Sequence, residues 1–109
     1  MNSSNTGLTE DDWKIINETI SRHPEIDEAI LFGSRAKGTQ RPGSDVDIAL
    51  IGKKINHSII LEVSLWLNEE TLLPYKFDIV NYDTIRNVDL IEHIQRVGVP
   101  IYKKAKKYR

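Results

Sequence analysis

The chain has 109 residues, a formal net charge of −1 at pH 7, and 39% hydrophobic and 28% charged residues, which predicts one globular domain without the broad basic surface of a dedicated nucleic-acid-binding protein. The lack of cysteine excludes disulfides and thiolate chemistry. No apolar run approaches the ~20 residues of a membrane span, and the polar N-terminus has no signal-peptide pattern, so we expect a cytoplasmic protein without a membrane partner.

The expected domain organisation is a flexible N-terminus over residues 1–8, one folded domain over 9–103, and a basic C-terminal tail over 104–109. The tail is either a solvated terminus or a contact for an acidic partner surface or for RNA phosphates. Nothing else in the sequence indicates a nucleic-acid partner.

A first helix is predicted to begin after Thr9. Three acidic residues follow Thr9, which is typical of an N-cap and of a first turn that complements the helix dipole. Trp13, Ile16 and Ile20 recur on one helical face and indicate a core-facing stripe, although Trp13 could instead contact a partner. Pro24 is expected to end the helix.

The next stretch predicts a strand, a glycine turn, a short helix and a second strand. Residues 29–32 and 46–51 are apolar runs of the length expected for buried strands. Gly33 allows a sharp turn and a close approach to the backbone, and Ser34 opens a short helix over 34–37 whose free N–H groups favour an anion. A phosphate site is therefore predicted where the first strand ends.

Two carboxylates lie at the start of the second strand. Asp45 and Asp47 are separated by one residue, so on a strand they share a face about 6–7 Å apart. Such a pair is unfavourable unless a cation lies between the carboxylates, and Mg²⁺ takes one or two carboxylates together with substrate phosphates. Asp45 could instead cap the turn after Ser44, whereas the apolar neighbours of Asp47 make a purely structural role harder to support.

Basic residues lie beside the predicted phosphate site. Arg35, Lys37 and Arg41 are either charged surface residues or electrostatic partners of a triphosphate, onto which arginine can fork two hydrogen bonds. Two other loop types fit poorly, because Thr39 stands where a Walker A loop needs lysine and Ala49 stands where an EF-hand needs a ligand.

The second half of the chain predicts a helix over about 58–70, a strand over 76–80, a helix closed by Gly98, and a short edge strand over 99–102. Asp78 is the one acid in the strand at 76–80, and an acid in such a run normally needs a partner. It is either a functional carboxylate or an edge-strand acid that faces water.

The caps of the two later helices, one tryptophan and the histidines remain to be assigned. Ser58 is expected to cap the first of these two helices, and Asn87 or Asp83 the second. Trp66 belongs either to the core or to an exposed partner patch, and we favour the core. We assign no role to the histidines, which lack zinc-ligand spacing and are His23, His57 and His93.

The combined pattern resembles a known family. Gly33-Ser34, ten intervening residues, and then Asp45-Val46-Asp47 are similar to the signature of the minimal nucleotidyltransferases of the DNA polymerase beta superfamily. These are small prokaryotic domains that are often encoded beside a helical HEPN-type partner.

The resemblance implies an α/β (α+β) fold, namely a palm-like mixed sheet with helices packed mainly on one face. It implies that Asp45, Asp47 and Asp78 are the catalytic residues and the ligands of two Mg²⁺ ions, with Asp78 as general base or ligand of the second ion. Asp83 is a lower-ranked rival for this third position. The nucleotide-binding residues would be Gly33 and Ser34, helped by Arg35 and Lys37.

The resemblance also implies a function. The chain would move AMP from ATP to a hydroxyl acceptor, most simply a tyrosine of a HEPN-type toxin, and so act as an antitoxin. Two alternatives stay open: a subunit that blocks a partner by contact alone, and a nucleotidyltransferase whose small-molecule or RNA acceptor is held by a second subunit.

Overall fold

A four-stranded sheet organises the part of the chain that the computed structural model describes, residues 6–105. The strands are β1 (Glu28–Phe32), β2 (Val46–Ile51), β3 (Phe77–Asn81) and β4 (Val99–Lys103). Their order in the sheet is β3-β2-β1-β4. The two apolar runs that flank the predicted phosphate site therefore form the centre of the sheet.

The sheet is mixed, and its register brings two aspartates side by side. β1 runs antiparallel to β2, with Phe32 opposite Asp47, and antiparallel to β4 on its other side. β2 and β3 run parallel, with Asp47 opposite Asp78, because a helical crossover joins them. β4 is an edge strand, as its Pro100 predicts.

Helices cover both faces of the sheet, but most of the core lies on one of them. The helices are α1 (Glu10–Ser21), α2 (Gly33–Lys37), α3 (His57–Leu65) and α4 (Val88–Val97), with a π-helical turn at Trp66–Glu70 and a 3₁₀ turn at Tyr82–Thr84. The larger cluster joins α1 and α3 to the sheet, and a smaller one under α4 contains Phe32, Ala49 and Ile94. This is the predicted α+β class. Within residues 6–105, no helix is long and apolar enough to span a bilayer.

A reciprocal cap fixes the start of α1. The Thr9 hydroxyl oxygen accepts the Asp12 N–H at 3.0 Å, and the Asp12 carboxylate accepts the Thr9 N–H at 3.0 Å. Asp12 also accepts the Tyr75 hydroxyl at 2.7 Å, and this hydrogen bond raises the pKa of Tyr75. Trp13 is buried, so it belongs to the core.

The segment before α1 packs against the domain, whereas the sequence predicted flexibility up to residue 8. Thr6 and Leu8 are buried, and the Thr6 carbonyl accepts a hydrogen bond from Arg35 at 2.8 Å. Residues 1–5 and 106–109, which include most of the basic tail, lie outside the described part of the chain.

Asparagine side chains cap both later helices. Asn56, rather than the expected Ser58, caps α3 by accepting the Ile59 N–H at 3.0 Å, because Asn56 has the extended backbone that an N-cap requires. Asn87 caps α4, as one of the two candidates predicted. Asp83 lies instead in the 3₁₀ turn.

Trp66 lies at the surface, so the favoured assignment to the core is wrong. Its side chain is 38% exposed, and the Arg22 guanidinium lies 4.7 Å from its ring centroid. Val63 of α3 and Leu67 of the π-helical turn, on either side of Trp66 in the sequence, are fully buried instead. Three leucines of the same region are also exposed, namely Leu61, Leu65 and Leu72.

Candidate active site

Three carboxylates meet where β2 and β3 begin. Asp47 and Asp78 are register partners on adjacent parallel strands, so they lie on the same face of the sheet. Asp45 directly precedes β2. Asp45 and Asp78 are exposed and Asp47 is half-buried. The parallel register thus places the predicted third acid beside the predicted pair.

The electrostatics of Asp47 reflect this crowding. Its pKa is raised from the ordinary value of 3.8 to about 6, first because burial disfavours the charged form, then because of the charges of Asp78 and Asp45, with Arg35 acting in the opposite sense. A carboxylate whose pKa is raised by neighbouring carboxylates is part of a donor set that a hard cation such as Mg²⁺ stabilises. The residues therefore fit a magnesium site.

The three carboxylates are neighbours, but they do not surround a single metal position. Within residues 6–105, no three acidic or histidine side chains already adopt a metal-binding arrangement. Asp45 and Asp78 are exposed and can change rotamer, whereas the position of Asp47 is fixed by the central strand. We therefore expect Asp47 to anchor the site, with the other two side chains turning toward it.

The raised pKa of Asp47 leads to a stability prediction. Because the folded protein binds the Asp47 proton more tightly than the unfolded chain does, the free energy of unfolding falls as pH rises from about 3.8 to about 6. Asp47→Asn lacks this decline and should be more stable than wild type at pH 7.5, by on the order of 1 kcal/mol after allowance for solvent screening.

Urea unfolding of both proteins with EDTA at pH 4, 5, 6 and 7.5 measures this difference. The advantage of Asp47→Asn should grow through the interval and then level off. A difference that stays constant from pH 4 to 7.5 would show that Asp47 ionises in the folded protein as it does in the unfolded chain.

Gly33 forms the turn that faces Asp47. Its φ is +77°, in the left-handed region that favours glycine. A Cβ added at Gly33 would overlap the Asp47 carboxylate oxygen Oδ2. Glycine at this position therefore avoids both a strained backbone conformation and a displacement of the Asp47 carboxylate.

The Gly33 N–H group already has a protein partner. It donates to Nε2 of His93 on α4 at 3.0 Å, and the His93 ring also packs edge-on against Phe32, with centroids 6.2 Å apart. The sequence pattern predicts no role for His93. A contact between residues sixty positions apart, made by a backbone N–H group, leaves no local pattern that could have indicated it.

Ser34 is the second residue of α2 and lies beside this turn. α2 has only five residues and ends at Gly38, whose φ is +77°. The Thr39 N–H donates to the Ser34 carbonyl at 2.9 Å, which closes the helix. The dipole of so short a helix is small, so an anion here would depend on individual N–H groups and on the Ser34 hydroxyl.

Arg35 is buried and engaged with the backbone. Its Nε and one terminal nitrogen donate to the Ser44 carbonyl at 3.2 and 2.9 Å, and the other terminal nitrogen donates to the Thr6 carbonyl at 2.8 Å. The guanidinium also lies 4.9 Å from the Tyr75 ring centroid. It therefore braces the loop that ends at Asp45, whereas Lys37 and Arg41 are exposed.

Arg35→Lys should lower the free energy of unfolding by on the order of 2 kcal/mol, because lysine cannot bridge both carbonyls and stack on Tyr75 at once. Lys37→Gln, on the exposed side of the same helix, should stay within about 0.5 kcal/mol of wild type. Urea unfolding of the two variants makes the comparison. Equal stability of both would show that the guanidinium does not brace this loop.

Comparisons with known proteins agree with this geometry. A family model described as "Polymerase beta, Nucleotidyltransferase" matches residues 14–107. No curated protein is significantly similar to the chain. Among solved structures, a chain of a toxin-antitoxin with AMP-PNP matches with a TM-score of 0.70 at 21% identity, over 88% of this chain and 75% of the other.

Two variants of a toxin-antitoxin named MntA-HpeT are also similar. One carries two aspartate-to-glutamate substitutions two positions apart and matches with a TM-score of 0.68 at 21% identity, over 89% of this chain and 75% of the other. The second carries a tyrosine-to-alanine substitution and matches with a TM-score of 0.69 at 25% identity, over 89% and 74%. This likeness confirms the fold.

Proposed function

Because the chain belongs to the polymerase beta nucleotidyltransferase family, we propose that it transfers a nucleoside monophosphate from a nucleoside triphosphate to a hydroxyl acceptor, with Mg²⁺ as cofactor. The observation that carries this proposal is the register of Asp47 against Asp78, next to Asp45 and facing the Gly33 turn. A purely structural sheet has no reason to place three carboxylates at one end.

The proposed reaction forms a bond between the acceptor oxygen and the α-phosphorus and breaks the bond from that phosphorus to the bridging oxygen, so pyrophosphate leaves. Mg²⁺ bound by Asp45, Asp47 and Asp78 would neutralise charge on the phosphates and acidify the acceptor hydroxyl. Asp78 is exposed at the edge of the sheet, where a substrate hydroxyl can reach it, and it would take the proton from that hydroxyl.

The phosphates would lie at the start of α2. The Gly33 N–H is engaged by His93, so the direct contacts fall to the Ser34 hydroxyl and the N–H groups of the first turn, while Gly33 allows the close approach. Lys37 is exposed and can reach a triphosphate. Arg35 would act indirectly, by holding the loop before Asp45.

ATP is the proposed donor, and a tyrosine of a HEPN-type toxin is the proposed acceptor. Supporting this, the similar structures include a toxin-antitoxin with AMP-PNP and a toxin-antitoxin variant that lacks a tyrosine. We therefore propose that the chain is the antitoxin of such a pair and acts in the cytoplasm. The two substituted aspartates of the other variant have the spacing of Asp45 and Asp47, which supports a functional role for this pair.

The test is transfer of label from α-labelled ATP, GTP, CTP and UTP, with Mg²⁺, to the protein encoded next to this chain and purified with it. The Asp45→Asn/Asp47→Asn double variant removes the central ligands. Asp83→Asn is the matched control, because Asp83 is an exposed acid in the 3₁₀ turn after β3, away from the carboxylate cluster.

We expect label on the partner from ATP, lost in the double variant and kept in Asp83→Asn. Mass spectrometry of the partner should show one or more AMP units on tyrosine. Absence of label on the partner with any nucleotide would exclude the protein acceptor. Label that persists in the double variant would show that Asp45 and Asp47 are not needed for the transfer.

A second candidate, inhibition of a partner by contact alone, is favoured by one observation. Leu61, Leu65, Trp66 and Leu72 are exposed apolar side chains on and after α3, which is a surface suited to a protein partner. Co-expression separates the two functions. If the Asp45→Asn/Asp47→Asn variant still neutralises the toxin while Trp66→Ser does not, contact is sufficient; the reverse result assigns neutralisation to catalysis.

A further inference from the structure

The hydrogen bond between α4 and the turn after β1 connects the site to a part of the chain that the sequence motifs do not include. The Gly33 N–H donates to His93 Nε2 at 3.0 Å. The imidazole is thus an acceptor at Nε2, which places its own proton on Nδ1. This bond is made by a side chain to the backbone, sixty residues away.

The bond acts on the residue against which Asp47 packs. Gly33 has a φ of +77°, and its Cα faces the Asp47 carboxylate so closely that an added Cβ would overlap Oδ2. A rotation of the Gly33 peptide would therefore move the surface on which the carboxylate rests. His93 holds that peptide by accepting its N–H group.

We propose that His93 is a positioning residue of the active site: by accepting the Gly33 N–H, it fixes the turn that orients Asp47 and presents Ser34 to the phosphates. The consequence for catalysis rests on the nucleotidyltransferase function proposed above. The structural part, that His93 sets the conformation of the turn, is independent of it.

A simple packing role for His93 would have different consequences. The ring also contacts Phe32 edge-on, in the small cluster that joins α4 to the sheet. His93→Phe keeps an aromatic ring in that cluster but removes the acceptor. His93→Gln loses the ring but provides an amide oxygen that can accept from Gly33. The positioning role predicts that Gln retains function better than Phe, and packing predicts the opposite order.

The first measurement needs no nucleotide. In ¹⁵N-labelled wild-type protein, we expect a scalar coupling across the N–H···N hydrogen bond from Gly33 to His93. The Gly33 amide proton should shift upfield in His93→Phe and move back toward the wild-type position in His93→Gln. Absence of the coupling in wild type would overturn the proposal, whatever the activity of the protein.

The second measurement is the kinetics of label transfer. His93→Phe should lower kcat by about 10- to 100-fold, because a displacement of about 1 Å in a catalytic group has effects of this size, and His93→Gln should recover most of the loss. Asn87→Ala is the matched control, since it removes the cap of α4 without contacting Gly33.

The outcomes separate this proposal from the proposed function. If wild type transfers no nucleotide but the coupling is present and the Gly33 shift follows the acceptor, the proposed function fails and the positioning of the turn stands. If wild type is active and His93→Phe is no less active than Asn87→Ala at equal melting temperature, the positioning role fails while the proposed function stands.

Discussion

Asp47→Asn is expected to lower kcat for nucleotidyl transfer by about 10³-fold or more, corresponding to about 4 kcal/mol of lost transition-state stabilisation. Asp47 has this expected effect because it is the one carboxylate of the cluster fixed by a central strand, between β1 and β3. Asparagine keeps the shape of the side chain but removes the charge that would hold a cation. The loss should appear in kcat, while KM for the nucleotide changes less.

The stability of the Asp47→Asn variant is the control for this prediction. Asp47→Asn should be at least as stable as wild type at neutral pH, because it removes a carboxylate whose pKa is raised by burial and by its neighbours. A loss of activity with unchanged or increased stability can only come from the site. If Asp47→Asn kept more than a tenth of the wild-type kcat, another group would have to carry the proposed chemistry.

The sequence was sufficient to predict the central strands, because their apolar runs are long and are bounded by turn residues. β2 has the predicted bounds, and β1 begins one residue earlier than expected. Because side chains alternate between the two faces of a strand, the sequence alone also predicts that Asp45 and Asp47 lie on one face. The start of α3 was less predictable. Asn56 and Ser58 are equally good N-caps by residue type, and only the backbone conformation distinguishes them.

The contacts that join distant segments could not be predicted from local pattern. The position of Asp78 beside Asp47 depends on the register of a parallel strand pair, and only the resemblance indicated it. Arg35 was expected at a phosphate, yet its guanidinium bonds the carbonyls of Thr6 and Ser44. Charge alone does not show whether an arginine in a loop faces solvent or the backbone of its own fold.

Gly33→Ala is expected to lower both stability and activity by large amounts. A side chain at a φ of +77° costs about 1–2 kcal/mol, and the overlap with the Asp47 carboxylate adds to this, so we expect a total of about 2–4 kcal/mol in the free energy of unfolding. The displaced carboxylate should also lower kcat by about 10²-fold.

Gly43→Ala separates the two contributions. Gly43 has a similar φ of +86°, but no atom lies within 4 Å of an added Cβ, so this variant carries the backbone strain alone, about 1–2 kcal/mol. Its stability by urea unfolding should fall by that amount, and its kcat should stay near wild type. If Gly33→Ala and Gly43→Ala lost equal stability and equal activity, the close contact with Asp47 would have no consequence.

A double-mutant cycle then tests whether the stability that Gly33→Ala loses beyond Gly43→Ala comes from the contact with Asp47. Asp47→Ala removes the oxygen that an alanine at Gly33 would overlap, so Gly33→Ala should destabilise the Asp47→Ala protein by only the strain that Gly43→Ala measures. The coupling energy obtained in this way is a stability measurement and does not depend on substrate. It therefore tests, separately from catalysis, whether the turn after β1 determines where the central carboxylate lies.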